Sequence, residues 1–130
     1  MQMTVTTIIF GLPEGQRTVH LQLPLGTSTM TVRQLIARKV TQEVAECRAR
    51  QRPGLSGEYF SPEQLLRAAW HHAFVPGEVD DEIARAQHAF TVRDYMIVIN
   101  DQRIVDPEAT ITLLPATRVE FIKILPLVGG

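Results

Sequence analysis

Val119-Glu120-Phe121-Ile122-Lys123-Ile124-Leu125-Pro126-Leu127-Val128-Gly129-Gly130 is the stretch on which the fold reading turns. From about Arg118 to Leu125 it is rich in β-branched and aromatic residues, the composition of a strand. In an extended strand Val119, Phe121 and Leu125 share one face, and Ile122 and Ile124 share the other. One face must meet a packed layer. The other leaves Ile122 and Ile124 either as a partner surface or under cover from another part of the chain. Pro126 removes a backbone donor and stiffens the chain, which suits a strand leaving its sheet. The sequence then closes on Gly129-Gly130, and two closing glycines arise by chance in only about 0.5% of chains at ordinary glycine usage. Lacking Cβ atoms, they form a slender tail.

Upstream of this strand, Tyr95 to Ile99 is a β-type run, Asn100-Asp101 a turn, and Arg103-Ile104-Val105 a short return closed by Asp106-Pro107. Residues 111–114 are apolar, and Pro115-Ala116-Thr117 turns the chain into the last strand. At the other end, residues 4–11 read as a strand and Leu12-Pro13-Glu14-Gly15 as a turn. Arg17 to Leu23 then alternates, with Val19, Leu21 and Leu23 opposite Thr18, His20 and Gln22, so the two segments form a hairpin. Thr31 and Gln34 have the spacing of a capping box. Behind them Val32, Leu35, Ile36, Val40, Val44 and Cys47 recur at helical spacing, which predicts a helix over 32–50. Residues 52–57 break it. Ser61-Pro62-Glu63-Gln64 is a second start signal, with Leu65, Leu66, Ala69, Trp70 and Phe74 on one face and Pro76-Gly77 as the stop. A shorter stripe of Val79, Ile83, Ala86 and Phe90 follows. Residues 51–93 therefore read as a helical hairpin.

The order is hairpin, helix, helical excursion, two short strands and a final strand. This order, Ile97-Val98-Ile99-Asn100-Asp101 and Leu125-Pro126-Leu127-Val128-Gly129-Gly130 together resemble the ubiquitin-like superfamily. The nearest likeness is to the sulfur carriers of molybdopterin and thiamine biosynthesis, over residues 1–50 and better over 94–130. The resemblance implies an α+β, ubiquitin-like β-grasp fold over residues 1–130: one helix across a mixed sheet, with the last strand parallel beside the first. It implies a helical insertion at 51–93, which the minimal family members lack, and a flexible tail at 125–130. It further implies that Gly129 and Gly130 are the activated end. An ATP-dependent activating enzyme would adenylate the Gly130 carboxylate, while Ile122, Ile124, Leu125, Pro126, Leu127 and Val128 serve recognition. The acyl group would then pass through thioesters to target amines, as in a prokaryotic modifier with conjugating and deconjugating partners. Alternatively it would become a thiocarboxylate that donates sulfur to cofactor or amino-acid biosynthesis. The insertion favours the modifier, because it adds recognition surface that a minimal sulfur donor does not need. In either route the chain is a substrate with no catalytic residue of its own and no bound cofactor. A non-reactive binding module with a coincidental Gly-Gly end is the third reading.

Composition limits the alternatives. With 130 residues, 45% hydrophobic and 21% charged, the chain reads as one soluble domain. A net charge of −1 gives no reason to expect nucleic acid or an anionic membrane. No apolar run approaches the ~20 residues needed to cross a bilayer, and the first residues do not resemble a signal peptide. The single cysteine, Cys47, lies on the apolar stripe and fits a reducing cytoplasm as a buried, inert thiol. Adjacent His71 and His72 diverge by about 100° on a helix, unlike the i, i+4 pair that binds zinc, so no metal site is expected. Glu78, Asp80, Asp81 and Glu82 suit the start of a helix dipole. Eleven arginines stand against two lysines, Lys39 and Lys123. Either genome composition or a need for few self-acceptor amines accounts for that bias.

Overall fold

A computed structural model describes residues 2–12, 15–50 and 78–124. It is α+β, with a five-stranded mixed sheet, a two-stranded sheet and two described helices. Strands β1 (Gln2–Leu12) and β2 (Gly15–Pro24) form the N-terminal hairpin, antiparallel with Val5 opposite Leu21 and Thr7 opposite Val19. The alternation places Val19, Leu21 and Leu23 inside, and Thr18, His20 and Gln22 outside.

A three-residue strand, β3 (Thr29–Thr31), leads directly into helix α1 (Val32–Arg50). The expected capping box forms: the Gln34 amide donates to Thr31 Oγ1 at 3.2 Å, and the Thr31 amide donates to Gln34 Oε1 at 2.9 Å. Two further orphan amides of the helix start find distant carbonyls. Val32 donates to Ala109 at 3.0 Å and Arg33 to Pro107 at 2.9 Å. The start of α1 is thus fixed to a segment more than seventy residues away.

Helix α2 (Val79–Thr91) packs on α1 through Ala86, Ala89 and Phe90, with Val79 and Ile83 partly buried. Glu78 holds its N-cap position with no side-chain bond, and Asp80 and Asp81 complement the dipole from the exposed first turn. Glu82 also lies in the first turn, as expected, but it is buried. It is 4% exposed and meets Arg85 Nη1 at 3.0 Å. The helix start at Ser61 and the pair His71 and His72 lie outside the described residues, as does the side chain of Cys47.

Strands β4 (Met96–Ile99) and β5 (Gln102–Ile104) form a second hairpin, and β6 (Thr110–Thr112) pairs with β3. The chain then enters β7 (Val119–Ile124). The sheet order is β2-β1-β7-β4-β5, with β7 parallel to β1 and antiparallel to β4. The first and last strands therefore lie side by side at the centre. Parallel pairing requires a long crossover, and α1 lies along that route. Between sheet and helices sits a core that includes Val5, Leu23, Leu35, Ile36, Val40, Ile97, Leu113, Val119 and Phe121.

Candidate functional site

β7 is the element that positions the site, and both of its faces carry chemistry. On the inner face Val119 and Phe121 are 1% exposed, as the sequence alternation requires. On the open face Ile122 is half-buried and Ile124 is 60% exposed. Register shows what surrounds them. Ile122 lies between Ile8 of β1 and Met96 of β4, and Ile124 lies beside Phe10. Ile8 and Met96 are half-buried and Phe10 is 37% exposed. Beside them β4 contributes the half-buried Val98. These residues form an apolar patch at the end of the sheet from which β7 departs toward residue 125. Ile8 and Phe10 escaped the sequence reading. With Val5 and Ile9 directed inward, the parity of β1 sends Ile8 and Phe10 outward.

The other half of the open face is polar and internally bonded. Gln22 Nε2 donates to Thr4 Oγ1 at 2.8 Å, and Thr6 Oγ1 hydrogen-bonds His20 Nδ1 at 3.1 Å. An adjoining cleft of about 280 Å³ is lined by Thr4, Thr6, Thr117, Arg118 and Glu120. All of these side chains are at least partly exposed, so none is a buried group waiting for a ligand. The β4–β5 turn holds the start of β7. Asn100 and Asp101 have φ of 49° and 68°, both positive as a two-residue type I′ turn requires. Asn100 donates its amide to the Arg118 carbonyl at 2.9 Å, and its Oδ1 accepts the Arg118 amide at 2.9 Å. The Arg118 guanidinium also meets Asp101.

Beneath β7 lies a buried polar group that the sequence reading missed. Lys39 is 1% exposed and Glu43 2% exposed, one turn apart on α1, with Nζ 2.8 Å from Oε2. Lys39 Nζ also sits 4.6 Å from the Phe121 ring centroid, within cation–π range. Phe121 stacks on Tyr95 at 5.7 Å, and Tyr95 meets Phe90 of α2 at 5.8 Å. The Tyr95 hydroxyl donates to the Ala86 carbonyl at 2.7 Å. A continuous set of contacts therefore joins α2, β7 and α1. Glu43 Oε1 is buried with no hydrogen-bond partner among the described residues. Burial pushes the Glu43 carboxyl up to about 7, against the pull of Lys39. The same burial holds Lys39 below the ordinary lysine value, outweighing the opposite effect of its ion pair. Sequence spacing contained the signal: Val32, Leu35, Ile36, Lys39, Val40, Glu43 and Val44 follow one unbroken helical stripe.

Of the residues expected to form the site, Ile122 and Ile124 share one face, and 125–130, including Gly129 and Gly130, lie outside the described residues. Among the described residues no group of three or more His, Cys, Asp or Glu side chains could hold a metal ion, and no helix is long and apolar enough to cross a membrane. Compared with known proteins, the chain matches no family model, no curated protein and no solved structure.

Proposed function

We propose that this chain is a ubiquitin-like protein of the β-grasp type whose Gly130 carboxylate is adenylated by an ATP-dependent activating enzyme and passed through thioesters to target amines. The observation that carries this reading is the position of β7. A last strand that is parallel to the first lies at the centre of a sheet ordered β2-β1-β7-β4-β5, and in the sequence it directly precedes Leu125 to Gly130. The capped helix that enters through β3 and the hairpin that follows are the other parts such a fold needs.

On this reading the protein is a substrate, and the nucleophiles and ATP site belong to its partners. The apolar patch of Ile8, Phe10, Ile122 and Ile124 borders the exit of the tail, where an activating enzyme must grip the body while its channel takes the glycines. On this reading Leu125 to Val128 continue that recognition. A carboxylate is a poor electrophile. Joining it to AMP creates a mixed anhydride that a cysteine thiolate can open to a thioester.

A second reading is a sulfur carrier, in which the outer sulfur of an enzyme persulfide displaces AMP to give an acyl disulfide, and a second thiolate then cleaves its S–S bond, leaving a thiocarboxylate and a disulfide. The Asn100-Asp101 turn favours it, since that turn carries the likeness to the sulfur carriers and has the positive φ of a tight hairpin. Intact mass of the mature protein, before and after incubation with activating enzyme and ATP, tests both. A thiol-sensitive adduct on an enzyme cysteine supports the modifier. Replacement of one oxygen by sulfur supports the carrier. A mature chain that ends elsewhere than Gly130, or that is never charged, refutes both.

A further inference from the structure

An activated acyl group endangers the protein that carries it. At an acyl-adenylate or thioester, any accessible amine nitrogen attacks the acyl carbon. The bond to AMP or to the thiol sulfur breaks, the amine gives up a proton, and a stable amide remains. A carrier present in many copies would join itself to itself unless its own amines were out of reach.

The chain has two lysines, Lys39 and Lys123, and eleven arginines, which cannot serve as acyl acceptors at neutral pH. Both lysines are buried. Lys39 is 1% exposed beneath β7, its nitrogen bonded to Glu43 and lying over Phe121. Lys123 is 8% exposed on the inner face of β7, opposite Ile9, on the same side as Val119 and Phe121. Composition biased toward arginine explains a shortage of lysines. It does not explain why both survivors point inward, because lysine is among the residue types least often buried.

We infer that the fold withholds its lysine amines from acylation, so that the activated Gly130 is directed to acceptors on other molecules and the protein is transferred as single units rather than as lysine-linked chains of itself. This rests on the proposed activation of Gly130; in the sulfur-carrier route the protection concerns only the shared acyl-adenylate. Neither lysine of residues 1–130 is then an accessible self-acceptor.

The test separates the two ideas. Native protein is treated with N-hydroxysuccinimidyl acetate, and modified peptides are quantified over time. Arg103→Lys, which places a lysine on the exposed side of β5, supplies the accessible reference. Modification of a buried amine needs local opening, so Lys39 is expected to react roughly 100-fold and Lys123 roughly 10-fold more slowly than the reference. With activating enzyme and ATP, wild-type protein gives no lysine-linked dimer, whereas Arg103→Lys gives one joined at position 103. Native Lys39 or Lys123 reacting as fast as the reference, or a wild-type dimer linked through either, overturns the inference. Failure of Gly130 to be charged overturns the proposed function instead, and leaves the amine reactivities as an independent result.

Discussion

Replacing Lys39 with methionine isolates the energetics under the central strand. Methionine keeps most of the length and apolar volume, so little cavity forms, but the ammonium is lost. Three consequences follow from the geometry. The 2.8 Å contact to Glu43 Oε2 disappears, and the cation over Phe121 disappears with it, worth about 0.5–2 kcal/mol. Glu43, 2% exposed and with no partner for Oε1 among the described residues, is left as a bare buried carboxylate. Removing one partner of a buried pair costs about 3–5 kcal/mol, and total stability for a domain of this size is about 5–15 kcal/mol. The melting temperature should accordingly fall by roughly 10–20 °C. The carboxyl can escape by taking a proton, so the loss should be largest at pH 8 and smaller at pH 5. The double variant Lys39→Met/Glu43→Leu removes both charges and should recover to within about 1 kcal/mol of wild type or exceed it. Urea unfolding of the three proteins at both pH values measures each arm. A single variant costing less than about 1 kcal/mol at pH 8, or a double variant no more stable than the single, refutes this account.

Wild-type stability should itself depend on Glu43. Its folded pKa lies above its unfolded value, so its stabilising contribution is complete below about 4.5 and is lost as pH rises through about 7. That amounts to a fall on the order of 3 kcal/mol, which Glu43→Gln should flatten in denaturant titrations across that window. Thr31→Ala should cost about 1 kcal/mol of stability, because it removes the acceptor for the Gln34 amide; an unchanged unfolding midpoint would count against the cap. Gly129→Ala should abolish charging of Gly130 without altering the far-ultraviolet circular dichroism, and continued charging would sink the proposed function. Ile124→Asp, at a side chain 60% exposed, should leave stability within about 0.5 kcal/mol while weakening capture by the activating enzyme, seen as a raised KM for the protein substrate. An unchanged KM would remove the open-face patch from the recognition surface.

Local chemistry was legible in the sequence wherever a short-range rule governed it. The Thr31–Gln34 cap, the hairpin alternation of Val19, Leu21 and Leu23, and the Asn100-Asp101 turn each depend on neighbours within a few residues. The pairing of β1 with β7 has no local signature and was expected only through the family resemblance. Strands β3 and β6 were missed because three residues are too few to show a period. Lys39 and Glu43 were missed for a different reason. Charged side chains are normally assigned to solvent, yet here their helical positions mattered more than their polarity. Of the candidate site, Ile122 and Ile124 could be read from one strand. Their neighbours Ile8 and Phe10 required the register of another.

The central pairing of β1 with β7 also sets a timetable for the molecule. Val5 and Val119 are partners separated by more than a hundred residues, so closing that contact carries a large loop entropy and belongs to the slow part of folding. During synthesis β1 leaves the ribosome early and must wait for a parallel neighbour made more than a hundred residues later. The N-terminal hairpin can form in that interval, but its inner face has no complete core to bury against. Arrival of β7 joins β1 to β4 and closes the sheet. Closure of the core therefore waits on a strand made more than a hundred residues after its partner, and a chain cut before β7 leaves the inner face of β1 without its parallel neighbour.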